Sequence, residues 1–332
     1  MSLIILAVSL FALMVVSTYL GAAELSFADV RDAILARIPL IGSHIRPPSE
    51  IIDVIVWKLR MPRVALAALV GAMLAIAGVA FQGLLRNPLA DPYIVGVSSG
   101  AAVGGAVATL LGVSGALFGF GAPAIAFLSA MLGMTLVYSL AKRGNQVQVG
   151  TFLLAGVAVG SALWSLITLL LIAAHKDFNS ILSWLMGSFA DCTWDHLLIT
   201  APLALIGWLA LQWQARALNV FSLGEETAAH LGIEIEQLKR IILIAGSVIT
   251  AAAVSVCGII GFVGLIVPHI ARRLFGADHR TLYPASAFLG SILVVGADIM
   301  ARMLLRPIEI PVGVITALMG TPFFIYLLKR TT

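Results

Sequence analysis

The stretch ALNVFSLGEETAAHLGIEIEQLKR, residues 217–240, is the longest polar interruption in the second half of a very apolar chain. Gly224 and Gly232 divide it into two short helical segments. Glu225, Glu226 and Thr227 open the second segment, where the positive end of a helix favours carboxylates. Lys239 and Arg240 mark the start of the next apolar run. A polar insert of this length between two membrane spans lies in water, because lipid leaves its charges unsatisfied. Its charge content alone favours a solvated loop over a surface that docks a soluble partner.

Of the 332 residues, 61% are hydrophobic and 11% are charged, against about 25% charged in ordinary soluble domains. The chain is therefore an integral membrane protein. Its apolar runs suit helices of about 20 residues, not the alternating strands of about 10 residues found in outer-membrane barrels. The fold class is all-α and polytopic, one transmembrane domain over residues 1–332. The net charge of +4 reflects lipid-facing loops, not nucleic-acid binding. Cys192 and Cys257 fit no metal spacing, and the six histidines are scattered without paired-ligand spacing. No G-x-x-x-x-G-K-[S/T] phosphate loop occurs, and no glycine precedes a lysine anywhere. A nucleophile elbow, a redox C-x-x-C pair and a haem attachment motif are absent too. Enzyme chemistry is unsupported, and the chain has no ATP site of the usual kind.

Ten spans are expected. The first is Met1 to about Leu20, read as a retained helix. An extracytoplasmic segment, residues 22–61, follows. There Ser26 caps an amphipathic helix with Phe27, Val30, Ile34 and Ile38 on one face, lying on the membrane surface. Trp57 suits the interface belt. The later spans cover about 64–85, 93 onward, 122–141, 151–174, 195–215, 241–257, 259–275, 281–304 and 311–328. Residues 179–190 are too short to cross and read as a re-entrant or interfacial helix. The second and third spans are rich in glycine, alanine and serine, which let helix backbones approach closely in lipid. Pro88 and Pro92 break the chain between them, either lining a pathway or forming a packing corner. Asp298 and Arg302 share a helical face and read either as coupling charges or as an internal ion pair. FQGL (81–84) and FVGL (262–265) echo one another. An even number of spans puts both termini on one side. Placing them inside puts a small majority of the 20 Lys and Arg there.

Four motifs in order carry a resemblance. They are RMPRVALAALVGAMLAIAGVAFQGLLRNPLADPYIVGVSSGA (60–101), LGEETAAHLGI (223–233), GIIGFVGLIVPHIARRLFGADHR (258–280) and PVGVITALMGTPFFIYLL (311–328). Together they resemble the FecCD-type permeases, the membrane subunits of ATP-driven importers of iron chelates, haem and cobalamin. The resemblance implies ten helices per subunit in the cytoplasmic membrane of a prokaryote, both termini inside. It also implies a homodimer around a central path, two ATPase subunits inside and a substrate-binding protein outside. ATP and Mg would be used by the ATPase partners, with no cofactor on this chain. Residues 217–240 then match cytoplasmic coupling helices, through Leu223, Gly224, Glu225, Glu226, Ala229, Leu231 and Gly232, which reverses the preference for a plain solvated loop. Asn87 and Leu89 match an inner gate, and Asn145, Gln146, Val147 and Gln148 lie where a second inner constriction falls. Arg60, Arg63 and Arg302 match outward arginines that pair with carboxylates of the binding protein, and Arg306 is added to them on charge. The implied mechanism is alternating access, with a ferric siderophore as the first cargo and haem or cobalamin open. A reading from another class is a secondary transporter coupled to ions through Asp298 and Arg302. A third is a structural membrane scaffold.

Overall fold

The computed structural model describes residues 2–21, 23–37, 48–113, 116, 119–144 and 146–331. Its first elements are α1 (Leu3–Tyr19), α2 (Phe27–Leu35) and α3 (Glu50–Asp53). A π-helical segment, Val54–Arg60, runs on into α4 (Met61–Leu85), so that residues 50–85 form one continuous helix. The chain then forms α5 (Val97–Leu110), α6 (Gly121–Ala141), a two-residue-per-strand hairpin of β1 (Lys142–Arg143) and β2 (Gln146–Val147), and α7 (Val149–Ala173). Next come α8 (Phe178–Leu185), α9 (Trp194–Trp213), α10 (Ala215–Phe221) and α11 (Glu225–His230). The last four are α12 (Ile235–Cys257), α13 (Val263–Phe275), α14 (His279–Met303) and α15 (Val312–Thr331). The ten expected spans correspond to α1, α4, α5, α6, α7, α9, α12, α13, α14 and α15. Six of these are long and apolar enough to cross a membrane by themselves, while α1, α5 and α15 are shorter apolar helices. The tenth, α13, is a half-helix of 13 residues that starts inside the protein at Phe262, whose backbone is left-handed with φ +68°.

Helix α4 is the axis of the fold, buried along nearly its whole length. In lipid, helices gain little from hydrophobic sorting, so close backbone packing has to supply the adhesion. Glycine provides it here. A Cβ on Gly71 would meet the carbonyl of Gly290 in α14, and a Cβ on Gly290 would meet that of Gly71. One turn pair further on, Gly78 lies against the backbone of Gly264 in α13, and Gly246 of α12 receives the ring of Phe81. A second cluster repeats the device: Gly100 and Gly104 of α5 seat on the backbone of α6 at Ser129 and Ile125, and Gly156 of α7 sits on the carbonyl of Ile94. The outer face of α7 is apolar and exposed at Leu154, Val157, Leu169 and Ile172.

The chain reverses direction in a way that fixes the termini relative to the polar insert. Helix α14 begins beside α10, where the His279 amide donates to Asn219, and it ends beside the carboxyl end of α1, where Arg302 donates to Leu20. Helix α1 therefore starts at the end of the bundle that carries α10 and α11. Helix α15 starts at the other end, with the Ile310 amide donating to Ala301, and returns past His269 of α13. Both termini thus sit at the polar-insert end.

Two local features add to the expectations. Residues 50–61 of the segment 22–61 already belong to the long helix that begins at Glu50. Ser26 does cap α2 in a capping box with Asp29. However, Val30 and Ala33 pack on Val56 of the π segment, Phe27 stays exposed, and the Trp57 indole donates to the Ala33 carbonyl at 2.8 Å. The buried side of the small helix covers protein. Ile38, placed on the same face in the sequence, lies outside the described residues. The short loop after α6 closes as the β1–β2 hairpin, with Gly144 at φ +63°.

The α4–α14 contact makes a direct prediction. Gly71→Val should lower stability by about 3 kcal/mol, the upper part of the range for overpacking. Gly296→Ala, on α14 with open space around it, should change it by less than about 1 kcal/mol. The midpoint of heat-induced loss of the monodisperse peak in detergent distinguishes the two.

Candidate functional site

At the polar-insert end the chain builds a small, firmly seated projection. Leu218, Phe221 and Ala228 are buried and anchor α10 and α11 to the bundle. Asn219 donates from Nδ2 to Asp278 Oδ1 at 2.7 Å and accepts the His279 amide at 2.9 Å, locking α10 to the α13–α14 corner. The Arg280 amide and the Asn219 side chain hold the Asp278 carboxyl below the usual carboxylate range. Arg86 lies 5.7 Å above the Phe221 ring. Gly224, at φ +130°, turns the chain into α11, and Gly232, at φ +83°, ends it. Between them Glu226 and Ala229 face solvent, while Leu223 is 70% exposed and Leu231 63% exposed. A short acidic helix flanked by two exposed leucines, on a rigid seat, has the shape of a docking surface.

Behind it lie the two segments that the sequence marks as gates. Helix α4 ends at Arg86 in the left-handed conformation, and the exposed Asn87 turns the chain by accepting the Leu89 amide at 2.9 Å through Oδ1. Leu89 is itself exposed. Asp91 accepts the Tyr93 amide at 2.9 Å and opens a single 3-10 turn, Pro92–Val95. In the hairpin, Gln146 is exposed and Val147 is buried. Gln148 is exposed and accepts from the Thr151 hydroxyl. Asn145 lies outside the described residues. The Val147 backbone is held on both sides: its amide donates to Glu236 Oε2 at 3.0 Å, and its carbonyl accepts from Lys239 Nζ at 3.1 Å. Lys239 also donates to Glu225 at 2.5 Å and to Glu236 at 3.1 Å. In the sequence Lys239 marks only a span boundary. The Glu236–Lys239 spacing of three residues is a legible helical pair, but its links to Glu225 and Val147 depend on tertiary packing.

A further polar contact joins the inner ends of α4 and α13. Gln82 donates to the carbonyls of Gly264 at 3.1 Å and Leu265 at 3.3 Å, and accepts from Arg272 at 2.7 Å. The echoed segments FQGL and FVGL thus meet face to face.

The far end corrects an expectation. Arg60, Arg63 and Arg302 are all buried, not presented outward. Arg60 donates to the Thr18 carbonyl at 3.0 Å and the Tyr19 carbonyl at 2.7 Å. Arg63 and Arg302 bracket Asp298, which is fully buried, at 2.9 and 3.0 Å. Arg63 also reaches Glu309 at 2.8 Å, and Arg302 binds Ser17 and Leu20 of α1. For Arg60 and Arg302 the physical reason is the N-terminal helix: its last carbonyls need donors, and these two guanidinium groups supply them, while Arg63 is held by carboxylates. Arg306 is the exposed member, bonded to the Gly21 carbonyl at 2.8 Å. The Asp298–Arg302 pair is an internal ion pair.

A bundle of about ten helices with broken spans and a seated polar projection has the architecture of a polytopic membrane protein. The chain belongs to the FecCD transport family, whose model matches residues 8–330. Its relatives include the cobalamin import system permease of Halobacterium salinarum, 44% identical over 84% of this chain and 74% of that protein. They also include the hemin transport system permease of Yersinia pestis, 38% identical over 83% of each chain. A solved structure assigned to the metal-chelate type of ABC transporter, in an inward-facing conformation, matches with a TM-score of 0.85 and 32% identity. It covers 99% of this chain and 98% of that one. The family is one of ABC transporter permeases, multi-pass proteins of the prokaryotic cytoplasmic membrane that are not themselves ATPases.

Removing one member of the far-end cluster should expose its energetics. Asp298→Ala leaves the buried Arg302 guanidinium without a paired carboxylate and Arg63 with Glu309 alone, and should cost about 3–5 kcal/mol. Glu309→Gln, at the exposed edge of the same cluster, should cost less than about 1 kcal/mol. Thermal midpoints of the two purified variants check this.

Proposed function

We propose that the chain is the membrane-spanning half of an ATP-driven importer, a homodimer that carries a metal chelate inward by alternating access. Two ATPase subunits dock on α10 and α11 at the cytoplasmic face, where both termini lie, and a soluble binding protein delivers cargo at the far end. The observation that carries the reading is the projection itself. Leu223, Glu226, Ala229 and Leu231 face solvent, and the helices that carry them are anchored by Asn219, Asp278 and His279 to the helices behind. A docked partner that moves such a surface moves the bundle with it. Asn87, Leu89 and the segment 145–148 then form the inner gates. Partner contacts at the far end fall to the exposed Arg306, with Arg60, Arg63 and Arg302 bracing that end from within. The ATPase partners use ATP and Mg, and this chain needs no cofactor of its own.

A ferric siderophore is the first cargo to test, with haem and cobalamin next, since relatives are named for hemin, cobalamin and ferric citrate. The small side chains of α4, α5 and α7 suit a smooth path that leaves selectivity to the binding protein. Coupling to ions through Asp298 finds little support, because that carboxylate is committed to Arg63 and Arg302.

The test is co-expression with the neighbouring genes, purification in mild detergent, and reconstitution. An ATPase should co-purify, and Leu223→Asp with Glu226→Lys should weaken its binding by about 2 kcal/mol or more. Uptake into vesicles should require ATP and persist when ionophores collapse ion gradients. Uptake that follows an ion gradient and ignores ATP would sink the proposal.

A further inference from the structure

Lys239 is 4% exposed, and its ammonium group carries three donor hydrogens. Each finds one acceptor from a different part of the chain: the Glu225 carboxylate of α11 at 2.5 Å, the Glu236 carboxylate of α12 at 3.1 Å and the Val147 carbonyl of β2 at 3.1 Å. The second oxygen of Glu236 accepts the Val147 amide at 3.0 Å. The Glu236–Lys239 pair therefore grips both backbone groups of Val147, whose side chain is buried. Glu225 closes the arrangement from the other side. It is the first residue of α11 and follows Gly224.

A buried ammonium is a costly way to fill this space. An apolar side chain of similar length often packs there at equal or better stability. What the charge adds is connection: the neighbouring helices α11 and α12 share one nitrogen with a hairpin 92 residues away in sequence. Glu225 retains 42% side-chain exposure on the surface that faces a partner. Displacement of α11 thus pulls on Lys239, and Lys239 holds the hairpin through its backbone.

We propose that Lys239 is a positioning residue, the strut through which movement of the docking helix α11 reaches the gate hairpin 142–147. The inference rests on reading α11 as the ATPase dock and the hairpin as a gate. It adds a mechanical link that neither surface exposure nor family membership supplies. The strut touches neither cargo nor nucleotide. Its removal leaves the dock in place and disconnects it.

The first test needs no partner. Spin labels at positions 227 and 143, in a chain whose buried Cys192 and Cys257 are replaced by alanine, report the distance between α11 and the hairpin. The otherwise unaltered chain should give one narrow distance distribution, Lys239→Met a broad one, and Lys239→Arg a narrow one again. A distribution as narrow in K239M as in the unaltered chain would overturn the strut. If K239M fails to fold, Glu236→Ala removes the same grip on Val147 and is judged by the same widths. The second test uses the reconstituted complex. In K239M the ATPase should still co-purify while cargo moved per ATP hydrolysed falls about fivefold, the lower part of the range for coupling between sites. Lys239→Arg should recover most of it. An unchanged ratio, or loss of the ATPase itself, would count against a strut. Failure to find any ATPase partner would instead overturn the function proposed above, while the spin-label widths would still decide whether the tie exists.

Discussion

The close approach of α4 to α14 and α13 is the constraint on which the other features depend. At Gly71–Gly290 and Gly78–Gly264 the backbones touch with no room for a methyl group. Lipid offers no hydrophobic reward for bringing helices together, so such contacts replace the apolar core that a soluble protein would use. They also make α4 a rigid rod. Its one end enters the far-end ion cluster at Arg63 and meets the end of α1 through Arg60, and its other end terminates in the Asn87 turn. A shift imposed at one end of a rod is felt at the other, because packed interiors do not compress.

The two ends spend charge differently. At the far end, Arg63, Asp298, Arg302 and Glu309 knit α4, α14 and the chain before α15 together, and Arg302 adds α1. Every partner there lies within the bundle, and the central carboxylate is fully buried. At the polar-insert end, the Lys239 cluster includes an acid on a solvent-facing helix and the backbone of a hairpin. The first arrangement suits a fixed joint. The second suits a joint that is held and yet reachable from outside, because one of its carboxylates can exchange its partner for water or for a docked protein.

Much of this was legible in the sequence and some was not, for physical reasons. Helices show through apolar length, so most spans lie within a few residues of their expected limits, although α12 starts six residues early at Ile235 because its first two turns carry Glu236, Lys239 and Arg240. The start of the second span does not, because Glu50–Arg60 is amphipathic and its apolar side packs on α2. Gly224 and Gly232 announced the breaks around α11, since a positive φ calls for glycine. Asn87 and Asp91 announced their turns through side-chain to backbone bonds. The role of the arginines was not legible. Arg60 and Arg302 are consumed by carbonyls at the end of α1, more than 40 residues away in one case, and no local pattern encodes that demand. Lys239 was hidden for the same reason. A lysine at the mouth of a span looks like an interfacial charge until tertiary structure brings Glu225 and Val147 to it.

The remaining question is how a helical bundle tolerates broken spans at membrane depth, where unsatisfied backbone is expensive. Here the breaks satisfy one another. The Tyr93 hydroxyl donates to the Ile260 carbonyl at 2.8 Å and accepts the Ile260 amide at 3.1 Å, joining the loop after α4 to the break before α13. The Ser188 amide donates to the Cys257 carbonyl at 2.8 Å, and the Val312 amide to the Gly187 carbonyl at 2.9 Å. The irregular segments after α4, after α8, after α12 and before α15 thus form one seam across the bundle. Helix interiors on either side are stiff, since their backbone bonds are internal to each helix. Bonds across the seam join different elements and can be remade singly. If α11 moves as proposed, this seam is where the bundle can give, because its bonds join different elements. Tyr93 ties the segment that follows the Asn87–Leu89 turn to that seam.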